Sequence, residues 1–133
     1  MLILTLRTDK PEAEIGLFDN NKPLTYHEWL AHRKLAETIN LEIKNVLEAK
    51  KLSLSEIEGI VVYQGPGSFT GLRIGISVAN ALADSLQVPI VGIKENGNND
   101  WTRRGIEKLL NKENDKIVIP FYGAEANITK PKK

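Results

Sequence analysis

Apolar and polar positions change period along this chain. Leu2–Leu6 (LILTL), Ala13–Asp19 (AEIGLFD) and Lys22–Trp29 are short runs of β-type residues, separated by the turn signals Thr8-Asp9-Lys10-Pro11 and Asn20-Asn21. They predict three strands in an antiparallel meander. From about Ala31 to Lys51 the spacing lengthens. Leu35, Ile39, Ile43, Val46 and Leu47 form one apolar stripe at helical steps. Ser53-Leu54-Ser55-Glu56 carries the helix-start signal of a short connecting turn. Gly59–Tyr63 (GIVVY) predicts a fourth strand, a second long helix runs to about Leu86, and Pro89–Ile93 (PIVGI) predicts a fifth strand. Past a polar stretch, Lys94–Asp100, a short helix is expected over Trp101–Asn111, with Ile106, Leu109 and Leu110 facing inward. Ile117–Tyr122 (IVIPFY) predicts a last strand, at an edge or ending at Pro120.

Three strands, helix, strand, helix, strand makes an α/β layer with a mixed sheet. The second long helix is apolar nearly all round. Gly71, Gly75, Ala79 and Ala83 form a row of small residues, Ile74, Val78, Leu82 and Leu86 line the neighbouring face, and Ile76 lies on a third. Such a helix is buried on two sides. One side is the sheet; the other is the first helix, a second chain, or both.

Between the fourth strand and this helix lies Gly65–Gly75, GPGSFTGLRIG. A strand, a glycine-rich turn and a helix N-terminus can form an anion site, because the first helical N–H groups lack internal partners. The spacing fits neither nucleotide motif. A Walker loop needs a second glycine followed by lysine, where this chain has Thr70 or Leu72. A dinucleotide fingerprint needs glycine at Thr70, and Gly71 comes one residue late.

The stretch resembles, nearly letter for letter, the signature of the bacterial TsaB (YeaZ) family, with Gly65, Pro66, Gly67, Ser68, Phe69, Thr70, Gly71, Arg73 and Gly75 as that family has them. The likeness extends more loosely over Met1–Ile93. It implies a ribonuclease H-like (actin/sugar-kinase, ASKHA) half-domain: a mixed sheet, a three-strand meander and two long helices. It also implies a non-catalytic scaffold in synthesis of threonylcarbamoyladenosine at position 37 of tRNA. The partner would be a TsaD-type enzyme, or a second copy, held in a four-helix contact through Ala31–Lys51 and Thr70–Leu86. A TsaE-type ATPase would complete the assembly, and tRNA would be met only indirectly. The residues expected at the partner surface are His32, Leu35, Ala36, Ile39, Gly71, Arg73, Gly75, Ser77, Ala79, Asn80 and Ala83. The ridge of small residues would be covered by the other polypeptide.

The length, 133 residues, suits one domain. It divides into a core over 1–93, a shortened connection over 94–116 in place of a second lobe, and a C-terminal strand and tail over 117–133. Ile119–Lys133 resembles the family's ending, with Gly123-Ala124 in place of its Leu-Arg. This favours a naturally minimal protein over a fragment. A 41% apolar and 26% charged composition with net charge +1 points to no polyanion or membrane partner. The basic Lys130–Lys133 tail reads as a solvated terminus. With no cysteine, disulfides and thiolate chemistry are excluded, which fits the cytoplasm.

Other candidate sites reduce to bland roles. His27 and His32 are five apart, so they do not share a helix face as a zinc-protease pair would. No metal or cofactor is expected. No histidine follows His32, where the resemblance would place the metal-binding cluster of TsaD. Where ATPases of this superfold, and most TsaB relatives, carry Asp-Thr after the first strand, this chain has Arg7-Thr8. That weakens the alternative readings, an ATP-hydrolysing enzyme or a degenerate homodimeric binding module, in the first of the two. Asp9 and Asp19 read as turn residues. Arg73 is either a clamp on loop carbonyls or a carboxylate, or an exposed contact to partner or tRNA phosphate. Phe69 is expected to plug the core beneath the loop.

Overall fold

One five-stranded sheet, in the order β3-β2-β1-β4-β5, organises the computed structural model, which describes residues 1–123. Its strands are β1 (Leu2–Arg7), β2 (Glu12–Asp19), β3 (Lys22–Leu30), β4 (Gly59–Gly65) and β5 (Ile90–Lys94). The first three pair antiparallel, as their short polar turns require, while β4 joins β1 and β5 joins β4 in parallel. The parallel pairs are connected by α1 (Leu35–Ala49) and α2 (Phe69–Leu86), and α3 (Trp101–Leu110) follows β5. This is the expected α/β, ribonuclease H-like arrangement.

Period-two alternation sorts the strand side chains onto two faces. His27 Nε2 lies 2.8 Å from Glu42 Oε1, and Trp29 Nε1 donates to Thr38 Oγ1 at 3.0 Å, so α1 covers the face that carries these two residues. Thr8 meets Gly75 on the same face, which places α2 beside α1. The opposite face receives α3, with Gly105 against Val61 and Trp101 edge-on to Tyr63. The core accordingly includes Leu4, Leu6, Ile15, Leu17, Ile60 and Val62, all fully buried.

The first helix starts at Leu35, where its apolar stripe begins, and not at the expected Ala31. Ala31 and His32 both donate their N–H groups to Pro11 O, which holds them to the β1–β2 connection. His32 takes a left-handed backbone, φ 46°, and a 3-10 turn, His32–Lys34, intervenes before Leu35.

The expected last strand is absent. Residues 117–122 join no ladder, and Ile117 lies in a bend. Pro120 has no N–H to offer, and side chains take over the pairing. Asn80 Nδ2 donates to Val118 O and Val118 N–H returns to Asn80 Oδ1, both at 2.9 Å. Asn114 Oδ1 and Asp115 Oδ2 accept the N–H groups of Ile90 and Gly92 on the outer edge of β5. Gln64 Nε2 donates to Ile119 O, and Phe121 N–H donates to Gln64 O. The segment thus caps the sheet edge without becoming part of it. The predicted basic tail at Lys130–Lys133 and the family-like ending beyond Gly123 lie outside the described residues.

Candidate functional site

The turn from β4 into α2 is shaped by close approach to the end of β1. A Cβ at Gly71 would collide with Thr8 O, one at Gly75 with the Thr8 side chain, and one at Gly67 with Asp9. Thr8 Oγ1 donates to Gly71 O at 2.7 Å, and Ser68 N–H donates to Asp9 O at 3.0 Å. Ser68 is also the N-cap of α2, its Oγ accepting from Gly71 N–H. Tyr63 Oη fixes the other side of the turn by donating to Pro66 O at 3.0 Å. The glycines therefore serve backbone packing.

Electrostatics disfavour an anion here as well. Asp9, expected to be only a turn residue, is 8% exposed, and Arg7 Nε donates to its Oδ1 at 2.7 Å. The Arg7 guanidinium lies 3.8 Å from the Tyr63 ring centroid. Burial opposes the Arg7 charge, but the Asp9 contacts outweigh it and raise the guanidinium pKa further. Burial raises the Tyr63 phenol, against an opposing pull from Arg7. Asp9, the carboxylate that follows β1, is thus neutralised by its neighbour and packed against Gly67.

Burial corrects the expected partner surface. Gly75, Ala79 and Ala83 are buried and Gly71 half-buried, because this row faces the sheet and needs small residues to let the helix reach Thr8. Leu35 and Ile39 are likewise buried under α1. The small-residue ridge is sheltered within its own monomer and offers no side chains to another chain. Asn80 is half-buried and engaged with Val118. The other expected residues, His32, Ala36, Arg73 and Ser77, are exposed.

Two depressions run along the α1–α2 face instead. An apolar groove of about 720 Å³ is walled by Ile43 and Leu47 of α1, Val78 and Leu82 of α2, and Leu52 and Leu54 after α1. A second, of about 430 Å³, is lined by Ala36, Thr70, Arg73, Ile74, Ser77 and Val78. The neighbouring face noted in the sequence, through Val78 and Leu82, is therefore the open one. Composition alone could not separate these two stripes; the bulk of Thr8 beneath α2 decides between them.

Phe69 does not plug the core. It is 54% exposed, with Tyr122 against its ring at 4.6 Å between centroids. Arg73 clamps neither carbonyl nor carboxylate among the described residues; its guanidinium sits 5.1 Å over the Phe69 ring. His27, on β3, is committed to Glu42 and stacks on Trp29.

Comparison with known proteins gives this geometry relatives. The family model for TsaD, tRNA N6-adenosine threonylcarbamoyltransferase, matches residues 29–96, half of the chain. The chain is 47% identical over 64 residues to the protein of that name from Geotalea uraniireducens, covering 48% of this chain and 19% of the relative. It is 29% identical over 113 residues to the Escherichia coli tRNA threonylcarbamoyladenosine biosynthesis protein TsaB, covering 83% of this chain and 48% of the relative. Among solved structures it resembles YeaZ from Pseudomonas aeruginosa, with a TM-score of 0.65 and 29% identity over 71% of this chain and 44% of that one. The chain thus spans from about a fifth to about half the length of these relatives.

Proposed function

Because the chain belongs to the family defined by the TsaD model, with TsaB and YeaZ proteins among its relatives, we propose that it is a non-catalytic partner in tRNA threonylcarbamoyladenosine biosynthesis. It holds a TsaD-type transferase against the α1–α2 face. The observation that carries this reading is the apolar groove between the two helices, where Val78 and Leu82 stand only half-covered by their own chain. A partner helix with large apolar side chains fits such a groove, whereas water leaves these side chains unsatisfied.

The chemistry belongs to the partner. The end of β1, where an ATPase of this fold would present a free carboxylate to Mg²⁺, is closed by the Arg7–Asp9 pair beneath Tyr63. The TsaE-type ATPase joins through the transferase, a second copy of this chain competes for the same groove, and the complex works in the cytoplasm without a cofactor of its own. Among the described residues no helix is long and apolar enough to cross a membrane.

Titration of the chain with the cognate TsaD-type protein tests this, using Leu82→Glu as the diagnostic variant. A charge in the groove should weaken pairing by about thirtyfold or more, the loss typical of a central interface residue. Pairing that persists unchanged in Leu82→Glu would exclude the groove as the interface.

A further inference from the structure

The depressions of the surface differ in how their charges balance. The apolar groove sets Lys44 against Glu48, and a hollow at the end of α2 sets Lys116 against Asp84. At the outer edge of β5 the balance fails. A depression of about 550 Å³ between α3 and the segment through Ile117 and Ile119 is lined by Lys94, Arg104 and Lys108, against one carboxylate, Asp115. That carboxylate is already engaged, its Oδ2 accepting the Gly92 N–H at 2.9 Å. Arg104 and Lys108 stand one helical turn apart and are both half-buried, whereas Arg103 and Glu107 pair with each other in solvent. Arg104 is fixed in place. Its Nε donates to Asp100 Oδ1 at 2.8 Å and its Nη2 to Lys94 O at 2.6 Å, which leaves Nη1 without a partner among the described residues. Neither Lys94 nor Lys108 forms an ion pair there. A half-buried ammonium without an acceptor pays a desolvation cost that a bound anion offsets.

We propose that this depression binds a phosphate monoester of a small organic molecule, independently of the α1–α2 groove. Phosphate suits these donors because its oxygens spread tetrahedrally and accept from a strand end and a helix flank at once, whereas a carboxylate accepts in one plane. A phosphate monoester carries about −1.5 to −2 at neutral pH, and three lining cations less one carboxylate leave an excess of two to meet it. Ile117 and Ile119, 69% and 70% exposed at the rim, offer apolar surface to the organic part. The volume suits a small molecule and would leave bare phosphate loosely held. Bound there, the ester bridges α3 and the segment that covers the β5 edge.

Isothermal titration calorimetry of the full chain tests this at one ionic strength. Phenyl phosphate serves as the ester, inorganic phosphate as the head alone, and benzoate as the same ring on a carboxylate. Phenyl phosphate should bind saturably and more tightly than either of the others. Lys108→Gln and Lys94→Gln should each weaken it by about tenfold, the loss of one charge-assisted hydrogen bond, and Lys108→Arg should retain it. Ile119→Ala should weaken phenyl phosphate and spare inorganic phosphate. An unchanged thermal midpoint without ligand verifies that each variant folds. Lys44→Gln, in the groove, should change nothing. Leu82→Glu should abolish transferase pairing and leave phosphate binding intact, which separates this site from the proposed function. Absence of saturable binding, benzoate binding as tightly as phenyl phosphate, or unchanged affinity in both glutamine variants would overturn the proposal. So would an equal loss in Lys44→Gln, which would mark a general charge effect.

Discussion

Thr5 carries a hydroxyl that its surroundings do not satisfy. The residue is fully buried in β1, pressed against Gly16 with Phe18 and Tyr26 close by, and its Oγ1 has no hydrogen-bond partner among the described residues. A buried unpaired hydroxyl costs about 1–3 kcal/mol. Thr5→Val keeps the shape and removes the polar atom, so it should stabilise the chain by about 1 kcal/mol in denaturant unfolding. Gly75→Ala should do the reverse. Its methyl would meet the Thr8 side chain, and overpacking of this kind costs about 1–3 kcal/mol. Tyr26 makes the residue scale depend on pH. Although the residue is 43% exposed, shielding of its hydroxyl end, and then the hydrogen bond it donates to Glu14, raise its phenol above the ordinary value of 10.0. The folded chain keeps this proton more tightly than the unfolded chain does. The resulting stability is therefore whole below pH 10 and is lost as pH rises beyond it. Tyr26→Phe should flatten that alkaline decline in unfolding curves measured on either side of pH 10.

Elements whose period was set by one buried face were legible in the sequence. The meander, both long helices and the mixed character of the sheet follow from turn residues and from stripes such as Leu35, Ile39, Ile43 and Val46. Two features were not legible, for related reasons. The ridge from Gly71 to Ala83 and the row through Val78 and Leu82 are both non-polar, and only the height of Thr8 beneath α2 shows which one the sheet must take. Likewise IVIPFY has strand composition, yet its pairing is made by the side chains of Gln64 and Asn80, whose positions depend on other elements. The Asn80 latch gives an element-scale prediction. Asn80→Ala removes two hydrogen bonds to Val118, at about 0.5–1.5 kcal/mol each. The Val118 amide should lose its protection in hydrogen exchange, while amides of β1 and β4 keep theirs.

At the scale of the molecule, the sheet has two edges, and they are managed differently. An open edge is a row of unpaired N–H and C=O groups that recruits other strands. The β3 edge begins with Lys22 and Pro23, and the β2–β3 register shifts between Leu17 and Phe18, all of which discourage a regular new ladder. The β5 edge, IVGIK, has only its terminal Lys94 and a register shift against β4 between Tyr63 and Gly65, and its first four residues are buried. Its protection comes from Asn114 and Asp115, which take the Ile90 and Gly92 N–H groups, and from Asp115 N–H donating to Ile90 O at 2.8 Å. Side chains that satisfy these groups without extending the ladder leave less of the edge for a further strand to join. Truncation after Glu113 would strip these groups from β5 and uncover the apolar side chains beneath Val118. The shortened chain carrying Leu82→Glu should associate in a concentration-dependent way in sedimentation velocity, under conditions where the full chain with Leu82→Glu, its helical groove likewise blocked, stays monomeric. Association of both proteins to the same extent would place the self-association surface elsewhere than the β5 edge.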